Sequence, residues 1–396
     1  MKHIRFGIIG AGDQGLTYAG LLTGRSVRPG MTMPPAPEHA ELAALCGRSQ
    51  QTRERCAQLF PQVPFFTDYK QMVRSGAVDA VIVSVPHYQH PEVTAWCLEQ
   101  GMPVLMEKPA GVDAKSVLAL HRAADAHPDV PFGILYNHRA NSLWRRVHAL
   151  VASRELGEVR SSRWVYTSCY RPDAYYQAKP GRGTWGGEGG GVLANQASHQ
   201  LDLWQWLCGV PTFVTAQMRF GAYRGSMAAE NEAMLMTRYE NGATGLFMAS
   251  AVEPVGTDRL EICLEDGHIL VENGQKATIH RYKASEILMN AMMGPEEADR
   301  LVTGQGLDLY GEEVWTGDEP WGVQHAALIE NFALHMLRSD PLWAPGRQGL
   351  ATVELVNAAL LSAWQEKEQE LPVDPEVFVQ QLNQRIREEG LYPPRT

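Results

Sequence analysis

Residues 5–16 read Arg5-Phe-Gly-Ile-Ile-Gly-Ala-Gly-Asp-Gln-Gly-Leu16, a short apolar strand that runs directly into a G-x-G-x-x-G turn and then a helix. That order decides the fold. Gly10 permits the tight strand-to-helix turn, Gly12 leaves bare backbone for a pyrophosphate to approach, and Gly15 lets the helix pack closely on the strand. The free N–H groups of the helix N-terminus then face the phosphates, with Asp13 and Gln14 beside them. The chain therefore opens as a dinucleotide-binding domain.

Outward from this start, apolar strands alternate with helical stretches to about residue 135, which predicts a doubly wound parallel sheet. Strands are expected at 5–9, 41–46, 80–85, 103–106 and 132–136, and helices near 13–22, 50–59, 90–100 and 114–126. The proline-rich stretch 27–38 forbids helix and reads as a surface loop. After residue 158 the period changes to two, with strands expected at 159–169, 213–223, 233–239, 244–251, 260–265, 269–272 and 277–282. Asn241-Gly242, Asp266-Gly267 and Asn273-Gly274 mark hairpins. The second domain is accordingly an α+β unit with a large open-faced, mainly antiparallel sheet. Helices near 199–207, 325–337 and 349–365 are expected on one face, leaving the other for a subunit interface in a homodimer or homotetramer. A closing helix over 376–389 takes Asp374 as its cap and Pro375 at its first position. The division is placed at 1–138 for the cofactor domain and 139–396 for substrate binding and oligomerisation.

Composition sets limits on function. A chain of 396 residues with 44% hydrophobic content can bury a large core, and a net charge of −10 without basic runs argues against nucleic acid or an anionic membrane as partner. No stretch approaches the roughly 20 apolar residues of a membrane span, and no signal-type segment precedes the first strand, so the cytoplasm is expected. Six scattered cysteines without a C-x-x-C pair suit reduced thiols, and no metal site is expected.

Three segments carry the chemistry. Pro103-Val-Leu-Met-Glu-Lys-Pro109 ends a parallel strand, where ligands sit in this architecture, and presents Glu107 and Lys108. Val83-Ser-Val-Pro-His-Tyr-Gln-His90 ends another, with Val85 and Pro86 set against the cofactor ribose and His87 and His90 near the cleft. His90 also suits helix entry before Pro91, so a capping or cofactor contact is expected of it. The third segment runs from Arg182 through a glycine run to Asp202, with Asn195, His199 and Asp202 at spacings of four and three. A histidine there can exchange a proton near neutral pH, as interconversion of alcohol and ketone requires. The bland reading, a satisfied core histidine, is disfavoured by the glycines just before it.

Taken together, these motifs resemble the glucose–fructose oxidoreductase/inositol dehydrogenase/MocA (Gfo/Idh/MocA) family. The resemblance runs from Gly10–Gly15 through Val85-Pro86, Glu107-Lys108-Pro109 and Gly189-Gly-Gly191 with His199 and Asp202, and into Ala344-Pro-Gly346 and Leu371-Pro-Val-Asp374. It implies a Rossmann domain followed by an open-faced sheet, with the active site between them. By matching position, Lys108 would hydrogen-bond the reacting hydroxyl and His199 would act as general acid/base in hydride transfer at a sugar, glycoside or cyclitol carbon. Family members usually carry Asp where Asn195 stands, and an amide cannot accept the proton, so Asn195 would only orient substrate. Asn137 joins the implied cofactor set. A second implied activity is NAD-dependent glycoside hydrolysis by transient oxidation, elimination, hydration and re-reduction.

Cofactor choice turns on Cys46-Gly47-Arg48-Ser49, where an acid would hold the ribose 2′-hydroxyl of NAD. The missing acid beside Arg48 and Ser49 leans the reading toward NADP, with NAD the alternative. For a small-molecule carbohydrate substrate, Tyr170, Arg171, Tyr176, Arg182 and Trp185 supply rings to stack on the sugar and charges for its hydroxyls.

Overall fold

A computed structural model describes residues 3–221 and 227–394. Its first sheet holds β1 (Ile4–Ile9), β2 (Ala40–Cys46), β3 (Phe65–Phe66), β4 (Ala80–Val83), β5 (Val104–Met106) and β6 (Phe132–Ile134), all parallel, in the order β3-β2-β1-β4-β5-β6. Helices α1 (Asp13–Thr23), α2 (Gln50–Leu59), α3 (Tyr69–Arg74), α4 (His90–Glu99) and α5 (Ala114–Ala126) connect them, and α6 (Ser142–Ala152) follows. The central strands β1 and β4 are buried along nearly their whole length, as parallel strands covered on both faces must be. The doubly wound expectation holds, with β3, α3 and α6 added to it.

Next in chain order come β7 (Val159–Tyr166), α7 (Asp173–Gln177), α8 (Ser198–Cys208), β8 (Phe213–Phe220), β9 (Glu230–Arg238), β10 (Thr244–Ser250), β11 (Asp258–Leu264), β12 (Gly267–Glu272) and β13 (Lys276–Tyr282). After them stand α9 (Glu286–Met292), α10 (Pro295–Val302), β14 (Tyr310–Thr316), α11 (Val323–Arg338), α12 (Gly349–Gln365), β15 (Gln369–Glu370) and α13 (Pro375–Glu389). The strands form a nine-stranded sheet, β14-β13-β12-β11-β7-β10-β9-β8-β15, in which only β7 and β10 run parallel. Residues 222 and 223, expected to finish the second strand of this domain, lie outside the described residues.

Period two is visible in β9, where Ala233, Leu235 and Thr237 are buried while Met234 and Met236 stand 50% and 61% exposed. The buried face is covered by α8 and α12. Trp204 of α8 sits over Gly245, whose missing side chain makes room for the indole, and its Nε1–H donates to Ser162 at 2.9 Å. The hairpin expected at Asn273-Gly274 is present with both residues at positive φ, 54° and 62°, as a type I′ turn needs. Asp374 caps α13 by accepting from the Glu376 N–H at 2.8 Å.

One helix is misplaced by the sequence reading. α11, expected on the antiparallel sheet, packs instead in the nucleotide-side core, with Leu328, Ile329 and Phe332 buried there and Phe332 6.2 Å from Phe6 between ring centroids. Its apolar stripe specifies one buried face and not which sheet receives it. α12 lies between the two halves, where buried Asn357 accepts from the Ala114 N–H and donates to the Val112 carbonyl, both at 2.9 Å.

Candidate active site

The carboxyl ends of the parallel strands open into a cleft of about 1370 Å³ between the two halves. Its floor at one end is the glycine turn. Gly10 has φ +94°, and a Cβ there would sit 2.3 Å from the Ser84 carbonyl oxygen, so the turn and the strand spacing both exclude a side chain. At Gly15 a Cβ would meet the Gly10 carbonyl at 2.1 Å. At Gly12 it would touch nothing within 4 Å and would project into open space, leaving peptide surface bare where α1 begins without a side-chain cap. Uncapped N–H groups beside an open cradle fit a dinucleotide pyrophosphate. Asp13 at this point is bridged by Arg55 of α2 and Lys179 of the facing loop, each at 2.7 Å, and the two cations hold its carboxyl well below the usual carboxylate range.

Arg48, Ser49 and Thr52 line the cleft beyond the glycine turn, together with Asp68 and Tyr69. Ser49 spends its oxygen on capping α2, accepting from the Thr52 N–H at 3.1 Å. Asp68 caps α3 through the Lys70 N–H at 2.9 Å. Sequence reading passed over Asp68 because its acid lies one strand further on than expected.

Toward the other end, Val85, Pro86, His87, Glu107, Lys108 and Asn137 line the wall. Glu107 is buried and serves the turn: it accepts from the Tyr18 hydroxyl of α1 and, at 2.7 Å, from the Lys108 N–H. His90, also buried, donates Nδ1–H to the Pro109 carbonyl at 2.7 Å, so it fastens the same turn from the start of α4. These contacts aim Lys108 across the cleft, where its Nζ donates to the Asn195 carbonyl at 2.9 Å and to Asn195 Oδ1 at 3.3 Å. Burial lowers the proton affinity of this ammonium, Glu107 and Glu188 raise it, and Arg171 lowers it.

Asn195 belongs to a π-helical turn, Val192–Gln196, closed by the Ala197 N–H on the Val192 carbonyl at 2.7 Å. The glycine run before it is closely packed and does not serve as a loose hinge. A Cβ on Gly189 would lie 2.1 Å from Val112 Cγ1, and one on Gly191 1.9 Å from the Glu230 carbonyl oxygen. Buried Glu230 then accepts from the Gly191 and Leu193 N–H groups at 2.9 and 3.0 Å, and burial pushes its carboxyl up to about 7.

His199 follows at the start of α8 and lines the cleft, its ring stacked on His138 at 4.6 Å. Its Nδ1 is buried without a partner. Burial, then His138 and Lys108, hold the imidazole well below the ordinary histidine range. His87, His138 and His325 around the same end are likewise pushed down, to about 3, 4 and 4, chiefly by burial.

The remaining expectations separate. Asp202, one turn beyond His199 on α8, leaves the cleft and forms a two-bonded buried pair with Arg139 of the 137–140 turn, at 2.8 and 2.6 Å, so the guanidinium there takes its carboxylate. Arg171 and Arg182 line the wall and flank the Tyr175 ring at 5.2 and 4.1 Å. Tyr170, Tyr176 and Trp185 are absent from the wall. Tyr176 and Trp185 are buried, Trp185 against Trp364 at 5.4 Å, while Tyr170 is exposed beyond it. Trp321 and Gly322 before α11, and Gln324 in its first turn, reach the cleft, a contribution with no local signal in the sequence.

The fold and site define an oxidoreductase scaffold built on dinucleotide binding, and comparison with known proteins agrees. A family model described as oxidoreductase family, NAD-binding Rossmann fold matches residues 4–132, and one for the GFO/IDH/MocA C-terminal domain matches residues 144–270. The chain belongs to the Gfo/Idh/MocA oxidoreductase family. It is 26% identical over 257 residues to scyllo-inositol 2-dehydrogenase (NADP(+)) IolW of Bacillus subtilis, covering 64% of each chain. It is 24% identical over 296 residues to inositol 2-dehydrogenase of Corynebacterium glutamicum, covering 73% of this chain and 79% of the relative. Among solved structures, the WlbA dehydrogenase of Bordetella pertussis with NADH and UDP-GlcNAcA superposes with TM-score 0.75 at 23% identity, over 94% of this chain and 99% of that one. Levoglucosan dehydrogenase with NADH and levoglucosan gives TM-score 0.73 at 16% identity, over 94% and 100%. At these identities the structural likeness speaks for the fold. Among the described residues no helix is long and apolar enough to cross a membrane.

Proposed function

We propose that the protein is an NAD(P)-dependent dehydrogenase acting on a sugar, glycoside or cyclitol, with Lys108 and His199 as its polar catalytic pair. The observation that carries this reading is the convergence of the two side chains on one cleft whose other end is the bare Gly12 cradle. The relatives named as inositol and levoglucosan dehydrogenases support the substrate class.

When bound, the nicotinamide supplies the hydride acceptor or donor. Lys108 then donates a hydrogen bond to the carbinol oxygen, which favours the alkoxide over the alcohol as hydride leaves carbon. His199 is neutral and lines the cleft, so its imidazole takes the hydroxyl proton and returns it in the reverse direction. Asn195, with Arg171 and Arg182 beside Tyr175 on the wall, orients the substrate and holds its remaining hydroxyls. Arg48 at the adenosine end favours NADP, since an always-charged guanidinium suits a 2′-phosphate. In this reading residues 1–138 hold the cofactor and residues 139–396 hold substrate and mediate association through the face bearing Met234 and Met236, giving a homodimer or homotetramer.

The test is cofactor reduction across a panel of inositols, aldoses, anhydrosugars and glycosides with NAD+ and NADP+ in parallel. Substrate-dependent NAD(P)H formation supports the reading. Cleavage of aryl glycosides by protein carrying its own cofactor, without net NAD(P)H, would replace it with the redox-neutral hydrolysis.

A further inference from the structure

The ammonium of Lys108 is half-buried at the cleft wall, and its two direct partners, both on Asn195, are uncharged. Its counter-charge has to come from elsewhere. Glu107 is on the same turn, and its two oxygens are committed to the Tyr18 hydroxyl and the Lys108 N–H. The second carboxylate is Glu188, on the loop between Gly183 and the π turn. Its Oε1 accepts from Asn195 Nδ2 at 3.1 Å and its Oε2 accepts from the Gly183 N–H at 2.9 Å. Both oxygens face donors, as an ionised carboxyl requires.

This geometry fixes the Asn195 amide. An ionised carboxylate accepts only and an ammonium donates only, so Nδ2 must face Glu188 and Oδ1 must face Lys108. We propose that Glu188 is the positioning residue of the site: its carboxylate, acting through the side-chain amide of Asn195, orients the Lys108 ammonium and supplies its counter-charge. The proposal rests on the reading of Lys108 as the group that meets the substrate hydroxyl, and adds to it a residue outside the pair.

The surroundings of Lys108 leave Glu188 a clear part. Glu107 and Glu188 stabilise the charged form, and Arg171 opposes it from the facing wall. His87, His90, His138 and His199 are all held below the ordinary histidine range and add no positive charge near neutral pH. Burial raises the proton affinity of Glu188 itself, and its bond from Gly183, the Lys108 charge and Asn195 oppose that rise.

The experiment reads Lys108 directly in substrate-free full-length protein: competitive labelling with trace acetic anhydride across pH, with the Lys108 peptide quantified by mass spectrometry. Glu188→Gln is expected to lower the apparent Lys108 pKa by about one unit, the low end for loss of a nearby opposite charge. Adding Asn195→Asp in that background places a carboxylate where Oδ1 already lies 3.3 Å from Nζ, and is expected to restore the titration. Glu188→Asp, which keeps the charge, should stay close to wild type. Should Glu188→Gln fail to fold, the same fall is expected between Asn195→Asp alone and the double variant. An unchanged Lys108 titration on loss of the Glu188 charge, or a fall that Asn195→Asp does not restore, overturns the proposal. The readout needs no substrate, so failure of the dehydrogenase reading would appear separately, as absence of cofactor reduction.

Discussion

Lys108 of the nucleotide half reaches across the cleft to the main-chain carbonyl of Asn195 in the sheet half, at 2.9 Å. The same carbonyl accepts from the Ser198 hydroxyl at 3.1 Å, one residue before His199. The two halves are therefore registered against each other beside Lys108 and His199.

The glycine turn gives a prediction that separates folding from binding. Gly12→Ala adds a methyl that meets nothing within 4 Å, at a φ of −73° that any residue adopts. Its thermal stability should stay within about 0.5 kcal/mol of wild type. Cofactor affinity, read by fluorescence titration, should fall about ten-fold or more, a change of about 1.4 kcal/mol. Gly10→Ala, forced to φ +94° and into the Ser84 carbonyl, should instead lose stability.

Arg48 offers a charge test of cofactor preference. Arg48→Ala should weaken NADP+ binding about ten-fold, as expected for loss of a hydrogen bond to a charged group, and leave NAD+ nearly unchanged. Equal losses for both cofactors would remove Arg48 from the 2′-phosphate.

Arg139 and Asp202 form a buried pair with 4% and 2% exposure, linking the 137–140 turn to α8. Asp202→Ala strands the guanidinium and should destabilise by about 3–5 kcal/mol in urea unfolding. Arg139→Met with Asp202→Leu should recover most of that loss. If the double variant is as unstable as the sum of the singles, the pair is not acting as a unit.

His199 sets the pH dependence. A histidine whose folded pKa is depressed stays neutral, and so competent to accept a proton, as pH falls through the ordinary value of about 6.5. The logarithm of kcat/KM should therefore show no His199-dependent acid limb between about pH 6 and 8. An acid limb near 6.5 that vanishes in His199→Asn would contradict the neutral imidazole.

Strongly periodic and motif-bearing segments were legible from sequence: the glycine turn, the Glu107-Lys108-Pro109 turn, the Asn-Gly hairpin and the helix over 349–365. Other features were hidden for physical reasons. Phe65–Phe66 is a two-residue strand, too short to show a period. Tyr310–Thr316 is an exposed edge strand carrying two glutamates, so it lacks an apolar face. The partner of α11 depends on tertiary packing. At the site, neither the π turn that holds Asn195 nor the Arg139 partner that draws Asp202 away from the cleft can be read from residue types. The aromatic stretch misled because burial, not ring identity, decides which rings a ligand can meet: Tyr176 and Trp185 went to the core and Tyr175 to the wall.

The most direct test is single-turnover reduction of bound cofactor, followed by stopped-flow absorbance with a substrate found in the panel. Lys108→Ala and His199→Ala should each slow hydride transfer by about 100-fold or more while binding cofactor as wild type does. The double variant should be little slower than either, as for groups that act together. Wild-type rates in either single variant, or losses explained wholly by weaker cofactor binding, would contradict the account.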